Sequence, residues 1–115
     1  MHELSVALGL LEGVCETASR DAIDRVLAVH VRVGALTGIA PEALQFSWEL
    51  ASAGTVAEKS ALKIDHIPLI VFCDRCASER RPAPASGLVC PECGSTCATI
   101  VHGRELQLVA MEVPQ

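Results

Sequence analysis

Tyrosine is absent from this 115-residue chain, and it holds only one tryptophan and two phenylalanines. Basic residues are also scarce: nine Lys and Arg stand against fourteen Asp and Glu, for a formal net charge of −5. A nucleic-acid surface needs a basic stripe, often with aromatic side chains that stack on bases, and this composition supplies neither. No apolar run approaches the length needed to cross a bilayer. The first residues, Met1 to Glu12, carry no basic n-region, and Glu12 breaks their apolar run, so no secretion signal is expected. No repeat or low-complexity tract is visible, and Pro82-Ala-Pro-Ala-Ser-Gly87 is the one loop-like run. Enzyme signatures are missing as well: no phosphate-cradling glycine loop, no H-E-x-x-H, no nucleophile elbow and no Ser/His/Asp set. These absences lead to the expectation of a cytoplasmic non-enzyme with no nucleic-acid or membrane partner.

What the chain does have is cysteine. Cys73-Asp-Arg-Cys76 and Cys90-Pro-Glu-Cys93 are two C-x-x-C pairs separated by thirteen residues. Four thiolates at this spacing can close a tetrahedron around one Zn²⁺, each pair gripping from a tight turn. Gly94 suits the turn that follows the second pair, and Pro91 stiffens it. The first pair has Ala77 in the equivalent place. Two disulfides are the alternative, but these need an oxidising compartment, whereas a reducing cytosol favours the metal. Four thiolates fill the zinc shell, so the zinc is structural rather than catalytic. Half of the residues are hydrophobic, enough for one small domain, and a structural metal is a common support for a core of this size. Cys15 is expected as a small buried hydrophobe, and Cys97, near the paired cysteines, as another or as a thiol that exchanges with a ligand.

Periodicity orders the rest. Leu4, Ala7, Leu8, Leu11, Cys15 and Ala18 form a stripe at helical spacing. Leu27, Val29, Val31 and Val33 alternate with Ala28, His30 and Arg32, as in a half-buried strand whose polar face carries His30. Gly34 to Gly38 reads as a turn, and Pro41 suits the first position of a second helix that carries Leu44, Trp48 and Ala51 and stops at Gly54. Residues 61–72 read as an edge strand or a strand broken at Pro68, leading straight into Cys73. Leu106, Leu108 and Ala110, with Glu112, alternate with Gln107, Val109, Met111 and Val113 in a closing strand. The expected fold class is α+β: a small three-stranded, mostly antiparallel sheet with two helices on one face, plus an inserted zinc-ribbon-like module. The expected units are an α/β domain of residues 1–70, completed by 99–115, and a Cys₄ zinc-binding module of 71–98.

His2 follows the initiator Met1, and a large second residue generally protects that Met from removal. The Met1 amine, the His2 amide nitrogen and the His2 imidazole can then form two fused chelate rings. The Glu3 amide or a side chain would supply a fourth donor. Planar nitrogen donors suit Ni²⁺ or Cu²⁺, whereas tetrahedral thiolates suit Zn²⁺. Taken alone, His2 is no more than a solvated chain end.

Further residues supply the context. Met1-His2-Glu3-Leu4-Ser5, Val33-Gly34 with Leu36, Pro41-Glu42-Ala43-Leu44-Gln45-Phe46, Gly54-Thr55, Ile67-Pro68, the paired cysteines and Gly103-Arg104-Glu105-Leu106 together resemble the HypA/HybF family over nearly the whole chain. These are nickel-insertion accessory proteins of [NiFe]-hydrogenase maturation. The resemblance implies a nickel-binding α/β domain that holds Ni²⁺ weakly through Met1, His2 and Glu3. It also implies structural Zn²⁺ on Cys73, Cys76, Cys90 and Cys93. The implied partners are the HypB GTPase and the hydrogenase large-subunit precursor, with urease also served in some bacteria, by a monomer or homodimer. Lys59-Ser60 departs from the family's Gly-Ala, and Cys97 is an additional thiol. Two readings compete with this one. A zinc-ribbon module for protein interaction or nucleic acid would shift DNA or RNA in a salt-dependent way, and a thiol-redox protein would carry one reactive thiolate and no stoichiometric zinc.

Overall fold

The computed structural model describes residues 2–115. Helix α1 (Glu3–Arg20) is followed by β1 (Ala28–Gly34), a 3₁₀ turn (Ala35–Thr37), α2 (Pro41–Ser52) and β2 (Ala61–Ile67). Then come β3 (Ile70–Cys73), β4 (Ser78–Arg80), β5 (Thr99–His102) and β6 (Leu106–Glu112). Among the described residues no helix is long and apolar enough to cross a membrane.

The first sheet has the order β2-β1-β6. A strand that returns through a helix can lie parallel to its predecessor, and β1–α2–β2 does so, pairing Val29 with Leu62 and Val31 with Ile64. Strand β6 returns antiparallel on the other side of β1. Val29, Val31 and Val33 are buried on the face covered by the helices, and His30 and Arg32 lie half-buried on the opposite face. The core joins those valines to Val6, Leu10 and Val14 of α1 and to Leu44 and Trp48 of α2. Pro41 is at the start of α2, and Gly54, with φ +78°, follows its end.

Helix α1 presents a different stripe from the one expected. Val6, Ala7, Leu10, Leu11, Val14 and Ala18 are buried, whereas Leu4 and Leu8 are 45% and 51% exposed and Cys15 is half-buried. Apolar residues run nearly all round this helix, so spacing alone offers two overlapping stripes. The sheet takes the one whose branched side chains meet the β1 valines. Strand β6 also departs from simple alternation. His30 pairs with Ala110 but Val31 pairs with Leu108, leaving Val109 as the extra residue of a β-bulge. Past the bulge the faces exchange, so Met111 rather than Ala110 packs on the core.

Pro68 separates two sheets. β2 ends at Ile67 as an edge strand of the first, and the chain restarts at Ile70 in a second sheet of order β4-β3-β5, antiparallel throughout. A small cluster of Val71, Cys73, Cys90 and Cys97 forms the core there. The molecule measures 53 × 24 × 17 Å, with a radius of gyration of 17.3 Å. A single compact domain of this length would have about 13 Å, so the two cores are strung out rather than stacked. Where they meet, Gly34 donates its N–H to the Glu105 carbonyl at 2.7 Å, and Leu36 donates to the Gly103 carbonyl at 2.8 Å. A Cβ at Gly34 would collide with the Gly103 carbonyl, so only glycine admits this approach.

Candidate metal centre

β3 delivers Cys73, buried, to its last position, and a tight turn brings Cys76 back before β4 begins. The second pair forms a matching knuckle. The Gly94 N–H donates to the Cys90 carbonyl at 2.9 Å, and the Cys90 N–H to the Ser95 carbonyl at 2.8 Å. Gly94 lies at φ +75° and Ala77 at φ +52°, so both knuckles end in the left-handed region, but only one ends in glycine. The sulfurs of Cys73, Cys76, Cys90 and Cys93 all lie within 4.8 Å of one another. Across the site, Cys73 Sγ and Cys93 Sγ are 3.5 Å apart, and Cys76 Sγ and Cys90 Sγ 4.0 Å apart. A tetrahedron with Zn–S of 2.3 Å has edges of about 3.8 Å, so the donor set fits zinc in number, softness and spacing. All six cysteines are free thiols.

The thiols are unlike. The Ser95 hydroxyl at 3.3 Å, with the Ser95 backbone, lowers the Cys93 thiol to about 6. The Cys93 backbone N–H lowers Cys90. Cys76 is pushed up to about 11, first by its bond to Cys93 and then by burial. Cys90 and Cys93 are thus eased toward the thiolate, and Cys76 must surrender its proton when metal binds. Cys97 is buried, its N–H donating to the Leu88 carbonyl, and burial raises its thiol. Its sulfur stands outside the four-sulfur group. Two neighbours of the site, Ser95 and Arg80, were not singled out from sequence, because nothing in their spacing marks them.

The other metal residues of the sequence reading sit at the start of α1. Met1 lies outside the described residues. His2 is exposed and extended at the N-cap of the helix, its ring making no capping bond. The Glu3 carboxylate accepts the Ala40 N–H at 3.2 Å, at the N-cap of α2, and this bond is the main cause of its lowered pKa. His30 belongs to a surface ion cluster: it lies 2.6 Å from a Glu112 oxygen that also meets Lys63 at 3.0 Å.

Comparison with known proteins places this arrangement. The family model described as "Hydrogenase/urease nickel incorporation, metallochaperone, hypA" matches residues 1–113. A protein named hydrogenase maturation factor HypA from Chloroflexus aurantiacus is 42% identical, across 99% of this chain and all of its own length. The protein of the same name from Geobacter sulfurreducens is 37% identical across 98% of this chain and 99% of its own. Among solved structures, the solution structure of the nickel metallochaperone HypA from Helicobacter pylori has 24% identity. It superposes with a TM-score of 0.64, over 98% of this chain and 97% of that one, which shows a shared fold. Matched by the family model from residue 1 to residue 113, the chain belongs to the HypA family of hydrogenase/urease nickel incorporation metallochaperones.

Proposed function

We propose that this protein is a nickel metallochaperone of hydrogenase maturation that carries Ni²⁺ at its N-terminus on Met1, His2 and Glu3. Cys73, Cys76, Cys90 and Cys93 would hold a structural Zn²⁺. The observation that supports the nickel reading best is the placement of His2 and Glu3. Helix α1 begins at Glu3, so the amide nitrogens of His2 and Glu3 precede its first intrahelical donors. Neither is needed by the helix ladder, and among the described residues the His2 side chain makes no capping bond. The Glu3 carboxylate is already engaged by Ala40, which favours its amide as the fourth donor while the carboxylate braces α1 against α2.

Nickel is the cargo. Donors at a chain end can be surrendered one at a time, which suits transfer to a receiving protein. The receivers are the HypB GTPase and the hydrogenase large-subunit precursor, with urease as a second client class. On this reading residues 1–70 and 99–115 hold the cargo, and 71–98 form the zinc-braced module. Because amide coordination releases protons, nickel affinity falls as pH drops.

The test is calorimetric Ni²⁺ titration of zinc-loaded protein beginning at an authentic Met1, beside the same protein with one residue added ahead of it. Binding that the extra residue destroys, and that His2→Ala abolishes with zinc and fold intact, supports the reading. Nickel binding that is indifferent to both changes sinks the N-terminal site.

A further inference from the structure

Arg80 ends β4 directly across from Val71, two residues from Cys73 along β3. Its neighbour Arg81 and the knuckle residue Arg75 are exposed, but Arg80 is half-buried. Its Nε is buried and, among the described residues, has no hydrogen-bond partner. The Nη1 group turns away and donates to the Glu79 carbonyl at 3.3 Å. Among the described residues no carboxylate pairs with Arg80, so its charge is not offset by an ion pair. In register its side chain shares the β3 face that carries Val71 and Cys73, and Cys76 and then Cys90 raise its pKa.

A buried N–H without a partner is costly, and a cation drawn toward the interior calls for a counter-charge. The Cys₄ centre supplies one. Four thiolates around a single dication leave a net charge of −2 in a closed, half-buried site. Thiolate sulfur bound to metal still accepts hydrogen bonds, and such outer contacts fix the orientation of ligands. Arg80 is placed to reach one sulfur from each knuckle, whereas the Ser95 hydroxyl meets Cys93.

We propose that Arg80 is a positioning residue of the metal centre, donating its N–H groups to the Cys76 and Cys90 thiolates, joining the two knuckles and offsetting part of the −2 charge. The inference rests on the zinc reading above and goes beyond it by assigning a residue outside the ligand set. Lysine would keep the charge but not the planar fork that spans two acceptors.

The full chain, zinc-loaded or cobalt-substituted, is compared with R80Q, R80K and the exposed control R81Q. In R80Q the thiolate-to-cobalt charge-transfer bands move to lower energy, because sulfur lone pairs lose a donor that had stabilised them. Zinc passes to a chelator about tenfold faster, as losses of outer contacts to metal ligands generally do. R80K falls between R80Q and the wild type, and R81Q matches the wild type. Charge-transfer bands unmoved in R80Q, even with lowered stability, would make Arg80 mere packing and overturn the proposal. If R80Q does not fold, R80K decides: bands at the wild-type position overturn the proposal, and a partial shift supports it. A wild-type chain that takes up no stoichiometric zinc or cobalt would instead remove the zinc reading on which the inference stands.

Discussion

At the scale of single residues, the two knuckles carry a natural contrast. Gly94 and Ala77 occupy equivalent places after their C-x-x-C pairs and share left-handed backbone, at φ +75° and +52°. For alanine that conformation costs about 1–2 kcal/mol, and for glycine almost nothing. Ala77→Gly should therefore stabilise zinc-loaded protein by roughly 0.5–1 kcal/mol, part of the relief being lost to the greater freedom of glycine when unfolded. Gly94→Ala should cost about 1 kcal/mol, and the space around Gly94 is open, so the cost is conformational rather than steric. Urea midpoints of the two variants check both signs. If both substitutions destabilise alike, strain at Ala77 is not what separates the knuckles. The cysteine spacing was readable from sequence because the metal fixes it chemically. Arg80 and Ser95 were not, because their places beside the four cysteines depend on strand register and on how the second knuckle folds back.

At the scale of elements, periodicity found both helices and the strands of the first sheet but misplaced part of the inward face of α1 and of β6. In α1, Leu8 and Leu10 are equally apolar, and only the position of β1 decides that Leu10 is buried. In β6, the Val109 bulge turns Glu112 to the polar face of the sheet, where His30 and Lys63 meet it. No alternation rule anticipates a bulge. That cluster has a consequence for acid stability. The bond to His30, and then Lys63, holds the Glu112 carboxyl below its ordinary 4.5. A carboxyl lowered in the folded state contributes stability that is complete above the unfolded pKa and lost as pH falls through the folded one. Glu112→Gln should therefore lower the urea midpoint at pH 7 while narrowing its gap to wild type below about pH 4.5. Because the pair is half-exposed, salt should weaken the effect. Zinc ligands protonate in both proteins over the same range, so the difference between them isolates Glu112. A gap that stays constant down to pH 3 would mean that the cluster is ornamental.

At the scale of the whole molecule, the two sheets have separate cores, one built on branched aliphatic residues with Trp48 and the other largely on sulfur. The first core is well supplied: Trp48 is 1% exposed, and its indole N–H donates to the Ser60 hydroxyl at 3.0 Å. The second is too small to stand on its apolar contacts, and a zinc site of this kind contributes folding free energy directly. Chelation should therefore melt the region of β3, β4 and β5 and leave the helix-covered sheet standing. The chain has one tryptophan and no tyrosine, so its emission reports on the first core alone. The expected result is a loss of far-ultraviolet strand signal on zinc removal, with Trp48 emission unshifted and the urea transition seen by Trp48 little changed. The opposing influence is the splice at Gly34 and Gly103, where two backbone hydrogen bonds tie β1 to the connection between β5 and β6. If Trp48 shifts together with the strand signal, that splice couples the units into one cooperative fold, and zinc stabilises the whole chain. If it does not, the helix-covered unit keeps its shape when zinc is lost, and a metal on the four cysteines serves only the module that carries them.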